Sequence, residues 1–410
     1  MTDSTGGTET ATSAARQRSG RTRWALVAGA SLVSVALGAY EISPASVTPL
    51  VRESLGVGDA AAGLVVSVMF GTAVVASLPI GAMLDRTDSR RAVAVAVLVL
   101  FVAGVWGWIA GERGAFLSVL GSRILGGVAY VVVWNASIDI VSEAVTGARR
   151  ATAVGVFTAS GPVGFALGQS TAPAIAARFG WPAIFLAFNG LALVGLAVFW
   201  PTSRGLGAVG GDAPPTRAEF GDVLRDRAVW TVGGLGFLGY SLYLFVNSWA
   251  PSYLTDVVGL SLGVSGLLVA AFPAVGVLAR VSSGLLSDRL FGGRRRPVVL
   301  ASFVVAAPLV ASVVATRSVV ALLAVLLVAG FAVQLTLGLS FAYVRELVDP
   351  RVAATAVAFQ TAVGLAGAFA APIVGGAVIE RAGYTAAFLA ASALGVLGVV
   401  LAWRAPEPGR

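Results

Sequence analysis

The chain contains neither cysteine nor histidine, and its 28 basic residues are all arginine. Without cysteine or histidine there is no disulfide, no structural zinc site and no histidine-ligated haem. A Ser-His-Asp or Cys-His nucleophile is excluded too. Without lysine there is no Walker A loop, so the chain cannot be its own P-loop ATPase. These absences predict a protein that is not an enzyme and needs no cofactor. Any active process must draw on an ion gradient or on another chain.

Charge is also scarce. Charged residues make up 12% and hydrophobic residues 57% of the 410 positions, and the mean hydropathy is +0.88. Soluble domains carry about 25% charge and about 45–50% apolar residues. The composition therefore predicts an integral membrane protein. The net charge of +8 would suggest nucleic acid in a soluble chain. Here the arginines sit in short gaps between apolar runs, so the expected neighbours are membrane lipid and a small solute, not nucleic acid.

What is present is organised. Apolar runs lie near 24–50, 60–84, 92–111, 115–142, 150–176 and 183–201, then near 228–254, 263–287, 297–316, 318–343, 352–378 and 384–403. A crossing needs ~20 apolar residues. The expected fold class is thus an all-α membrane protein with 12 transmembrane helices. The expected domains are a disordered cytoplasmic tail (1–23), a six-helix half (24–201), a cytoplasmic linker (202–226), a second six-helix half (227–404) and a short tail (405–410). The first tail is too polar for a cleaved signal peptide. With the N-terminus inside, the inner segments hold 21 arginines and the outer loops five: Arg52, Arg113, Arg178, Arg317 and Arg381. That bias predicts both termini in the cytoplasm.

The halves repeat at an offset of 203 residues. Gly81-Ala-Met-Leu-Asp85-Arg86 falls on Gly284-Leu-Leu-Ser-Asp288-Arg289, Glu143 on Glu346, and Tyr40 on Tyr243. Parallel repeats of this kind place a substrate site at the interface between halves.

The loop after the second run, Gly81 to Arg86 with Arg90 and Arg91 behind it, resembles the signature of the major facilitator superfamily. The second copy, Gly284 to Arg296, is similar. The resemblance implies a secondary transporter working by alternating access in the plasma membrane, as a monomer, with proton coupling. It also implies a gating role for Gly81, Asp85, Arg86, Arg90, Gly284, Asp288, Arg289, Glu143 and Glu346: their contacts brace the halves when the site faces outward, and each motif glycine admits a neighbouring helix. Arg123-Ile-Leu-Gly-Gly127 is similar to a motif of proton-coupled members, and Ser160-Gly161-Pro162 to part of an antiporter motif whose flanking glycines are here Phe157 and Phe165. Leu278-Ala-Arg280-Val-Ser-Ser-Gly284 resembles the anion-handling members.

An arginine at a helix centre costs about 2.5–3.5 kcal/mol on insertion scales. Arg280 lies eight residues before Asp288, or ~12 Å inside its helix end. It is expected to hold the negative charge of a substrate, against the alternative of a snorkelling structural arginine. Arg123 is a second candidate. Glu41 is expected to pair with Arg123 and carry the coupling proton. Tyr40, Asn135, Tyr243 and Gln360 complete the expected substrate site. The leading expectation is a small organic or inorganic anion. A drug/proton antiporter is the alternative, and a transport-like membrane sensor a remote one.

Overall fold

A computed structural model of the chain describes residues 6–206 and 217–407. Its regular structure is helical, with no strand among the described residues. The first half comprises α1 (Gly6–Ser46), the short α2 (Thr48–Leu55), α3 (Asp59–Leu84), α4 (Ser89–Glu112), α5 (Phe116–Ala144), α6 (Arg150–Phe179) and α7 (Ala183–Thr202). The short α8 (Arg217–Arg225) leads into the second half. That half comprises α9 (Arg227–Asp256), α10 (Leu262–Ala274), α11 (Gly276–Leu290), α12 (Arg296–Ser312), α13 (Val319–Leu347) and α14 (Ala353–Trp403).

Twelve crossings follow from these elements. α10 and α11 together form one 29-residue apolar stretch, Leu262–Leu290, interrupted at Val275 just after Pro273. Gln334 of α13 fills the break and donates to the carbonyls of Phe272 and Pro273 at 3.2 and 3.3 Å. α14 has 51 residues, or ~76 Å of helix at 1.5 Å per residue. A hydrocarbon core is only ~30 Å thick. The chain turns at Gly383, whose φ of +80° is open to glycine and strained for other residues. α14 is therefore two crossings, and each half contributes six.

The composition predicts disorder over 1–23, whereas α1 already begins at Gly6. Once a nucleus exists, alanine, arginine and glutamine extend a helix at little cost. Residues 1–5, residues 408–410 and residues 207–216 of the expected linker lie outside the described residues.

Both faces of many helices are apolar. On α4, Val93, Val97 and Leu100 are fully buried while Val95, Leu98 and Val102 stand more than half exposed. Lipid tails are as apolar as a protein core, so both environments accept the same residues. Across the halves α3 packs on α14, α6 on α10 and α1 on α9. The approach of α3 to α14 is close enough that a side chain at Gly63 would collide with the backbone of Pro372.

Candidate functional site between the halves

A cavity of about 70 Å³ lies between the two bundles. From the first half it is lined by Ser34, Leu37, Gly38 and Glu41 of α1, Phe70 of α3, Tyr130 and Trp134 of α5, and Gly161, Pro162 and Phe165 of α6. The second half contributes Tyr240, Tyr243 and Leu244 of α9, Arg280 of α11 and Leu365 of α14. Arg280 is half-buried, and no ion pair between described residues includes it. Its Nε is buried without a hydrogen-bond partner. Glu41 is 3% exposed, and its Oε1 likewise has no partner. Tyr130, Tyr240 and Tyr243 each lie within electrostatic reach of both charges. The cavity thus holds one acid from the first half, one guanidinium from the second, and three phenols that interact with both.

The other deep arginine is built differently. Arg123 is completely buried in α5. Its guanidinium donates to the backbone carbonyls of Val65 at 3.0 Å, Tyr40 at 2.8 Å and Glu41 at 2.6 Å. It also lies 4.5 Å over the Tyr40 ring. The reason is local. Pro44 has no N–H, so the carbonyl of Tyr40, four residues earlier, loses its helical donor. Arg123 supplies that donor and ties α1, α3 and α5 together. The same repair occurs in the second half. Pro251 leaves the carbonyl of Asn247 without its helical donor, and Gln169 of α6 donates to it at 2.7 Å.

The two ends of the bundle differ as well. At the end remote from the linker, Arg52 of α2 donates to Asp59 of its own half and to Asp256 of the other half, each at 2.6 Å. The phenol of Tyr384 donates to the same Asp256 carboxylate at 2.7 Å. Glu380 of α14 accepts from the backbone N–H of Ala60 at 2.9 Å, again across the halves. Burial works against the charge on Arg52, but the acidic partners around it outweigh burial and its pKa rises. At the linker end every ion pair between described residues stays within one half. Arg295 binds both oxygens of Glu346 at 2.8–3.0 Å and Asp288 at 2.8 Å. The hydrogen bonds to Glu346 are the leading reason its pKa is raised.

Residues 25–309 and 258–410 match the family model described as Major Facilitator Superfamily. The chain belongs to the Major Facilitator Superfamily. It is therefore a multi-pass membrane protein of a transporter superfamily. Among curated proteins, it is similar to the probable L-galactonate transporter of Escherichia coli (strain K12), 24% identical over 60% of this chain. That match spans 58% of the galactonate protein's own length. It is 27% identical to the 3-(3-hydroxy-phenyl)propionate transporter of the same strain, over 82% of each chain. Among solved structures, a bacterial homologue of the human lysosomal transporter Spinster, in an inward-facing and unoccupied conformation, superposes with a TM-score of 0.79 at 16% identity. The match covers 94% of this chain and 97% of that one and shows the shared fold.

In this superfamily member the cavity gathers only some of the residues singled out from sequence. Arg280, Tyr243 and Glu41 line it. Arg123, Tyr40 and Gln360 do not. Arg123 is occupied by backbone carbonyls, and Tyr40 is packed against Gly126 and Phe185. Gln360 is buried against Gly236 of α9. Asn135 is exposed outside the lining, one position past Trp134 and so turned away from it. Glu41 meets Arg123 through its backbone carbonyl and not through its carboxylate.

The loop motifs also depart from expectation. A side chain at Gly81 or Gly284 would meet open space, so neither glycine admits a helix in this arrangement. Asp85, Arg86 and Arg289 form no ion pair with a described residue. Arg90 turns to its own half, donating to Ser203 at 3.0 Å and to the Trp200 carbonyl at 2.9 Å. Glu346 is paired by Arg295, not by Arg289. Glu143 has partners of its own.

Sequence reasoning passed over Tyr130, Trp134, Tyr240 and Phe165 as site residues. Phe165 stands where the antiporter motif has glycine, and that substitution was the available signal. The Arg52–Asp256 clamp was hidden because Arg52 read as a topology marker alone.

Proposed function

We propose that this chain moves a small organic or inorganic anion across the plasma membrane by alternating access. The observation that carries the reading is Arg280. It is a guanidinium in a cavity between the halves that forms no ion pair with any described residue. Its planar fork matches a carboxylate or nitrate through two parallel hydrogen bonds. The relatives named for L-galactonate and for 3-(3-hydroxy-phenyl)propionate transport acids, which supports the same charge. The antiporter alternative rested on Arg123 and on the partial motif Ser160-Gly161-Pro162; Arg123 is committed to backbone carbonyls, and the flanking glycines of that motif are Phe157 and Phe165 here.

With the N-terminus in the cytoplasm, the clamp of Arg52, Asp59 and Asp256 closes the outer side and the structure faces inward. Opening outward then requires breaking that clamp and bringing the Asp85 and Asp288 loops together at the inner side. Glu41 carries the coupling proton, being the one acid among the lining residues. The protein acts as a monomer in this scheme.

Flux in proteoliposomes tests the reading. Arg280→Gln should abolish uptake of the transported anion while the folded protein remains. Normal flux in that variant, or a response of the native protein to lipophilic cations alone, rejects the anion reading. Orientation has its own test, since introduced cysteines meet no background thiol. Cysteine at Ala208 should resist an impermeant reagent in intact cells, and cysteine at Ala382 should react. The reverse labelling would invert the membrane orientation.

A further inference from the structure

We infer that the solute held by Arg280 is a monocarboxylate bearing an aromatic ring, and not a polyhydroxylated acid or an inorganic anion. This rests on the anion reading and narrows it. The walls carry the argument. Six of the lining side chains are aromatic: Phe70, Tyr130, Trp134, Phe165, Tyr240 and Tyr243.

These rings are arranged as flat faces. Tyr130 and Trp134, one helical turn apart on α5, are nearly parallel and stacked, with centroids 6.5 Å apart and 10° between their planes. Phe165 of the first half stacks on Tyr243 of the second at 5.5 Å and 25°. Phe272 continues that stack behind Tyr243 at 5.8 Å and 27°. One aromatic face therefore belongs to a single half, and the other joins the two. A flat ring can pack against these side chains through offset or edge contacts, which add attraction beyond buried area.

The polar inventory points the same way. Besides Arg280, Glu41 and the Trp134 indole, the polar lining is limited to the Ser34 hydroxyl and the phenols of Tyr130, Tyr240 and Tyr243, with no asparagine, glutamine or threonine. Gln169 and Gln334 are spent on backbone carbonyls, and Gln360 is buried against α9. A sugar acid has a hydroxyl on almost every carbon, and each one left unpaired on burial is costly. A small inorganic anion would satisfy Arg280 but leave the aromatic walls without a partner. An aromatic carboxylate uses both features. Its carboxylate meets the guanidinium and its ring lies against the stacked faces, so one solute touches both halves.

The test is binding and flux with the purified full-length protein. The probes are 3-phenylpropionate, its saturated analogue 3-cyclohexylpropionate, galactonate and nitrate. 3-Phenylpropionate should bind at least tenfold more tightly than galactonate or nitrate. The puckered cyclohexyl analogue should bind about threefold to tenfold more weakly, the factor expected for losing one ring–ring contact. Phe165→Leu and Trp134→Leu should each weaken 3-phenylpropionate by a similar factor, with a native melting temperature showing that the variant is folded. Arg280→Gln should remove binding of every anion. If galactonate or nitrate binds as tightly as 3-phenylpropionate through Arg280, the aromatic inference falls and the anion reading stands. Equal binding of the phenyl and cyclohexyl acids likewise overturns the aromatic requirement alone. If no anion binds, or if binding ignores Arg280→Gln, both readings fall.

Discussion

Arg123 and Arg280 look equivalent along the chain, since each is a lone arginine inside an apolar run. In the folded molecule they are opposites. Arg123 is sealed among α1, α3 and α5 with its donors on three backbone carbonyls. Arg280 faces a cavity with its Nε unpaired. A charge inside a membrane helix is expensive wherever it sits. The partner that offsets the cost decides the role. Backbone carbonyls make Arg123 a structural tie between helices, and Arg280, which lines the cavity without an ion pair to a described residue, is available to a solute.

The largest effect should come from breaking the tie. Arg123→Leu should cost on the order of 3 kcal/mol, because it removes three hydrogen bonds from a charged group to buried carbonyls and leaves the Tyr40 carbonyl only the 3.3 Å contact from the Ser43 hydroxyl. Thermal unfolding in detergent would register this as a large fall in melting temperature or a loss of folded protein. A stable Arg123→Leu variant that fails only in transport would put Arg123 in the site and collapse the contrast. Next comes Arg280→Gln, for which anion flux should drop at least about a hundredfold, or ~2.7 kcal/mol. Its melting temperature should stay close to the native value, since no protein partner is lost. A destabilised Arg280→Gln would make both arginines structural.

A smaller change is expected at the clamp. Asp256→Asn removes the one ion pair between described residues that joins the halves. A partly exposed pair of this kind contributes about 1 kcal/mol, so the sealed arrangement should lose about fivefold in population relative to the opposite one. Distances between spin labels on α2 and α9 would report the shift, and an unchanged distribution would deny the clamp its role. Weakest in size, but sharp in kind, is Glu41→Gln. It should leave exchange of anion for anion running while accumulation no longer follows an imposed pH gradient. Accumulation that still tracks the gradient would remove Glu41 as the proton carrier.

Much of the architecture was legible in the sequence. Run lengths counted the crossings, and the 203-residue offset paired the halves. Helix rotation was not legible. On a soluble helix, polar and apolar stripes announce the inward face. Here α4 carries valine and leucine on its buried and exposed sides alike. Tyr40 and Tyr243 occupy matching places in the repeat, yet the first is packed on Arg123 and Gly126 while the second lines the cavity. The proline kink that turned Tyr40's carbonyl toward Arg123 lies four residues on, at Pro44, and has no counterpart four residues after Tyr243, where Asn247 stands.

Composition and spacing alone therefore determined a membrane-spanning, helical, twofold-repeated chain without metal-binding histidine or cysteine. Those properties follow from the length and order of apolar runs, which the hydrocarbon core reads directly. Tertiary structure decided which arginine is a staple, which rings form the cavity and which end carries the ion pair between the halves. Those outcomes depend on how each helix is turned about its own axis. In a chain whose lipid face and packed face are equally apolar, that angle is fixed only by the shapes and backbone carbonyls of the neighbouring helices.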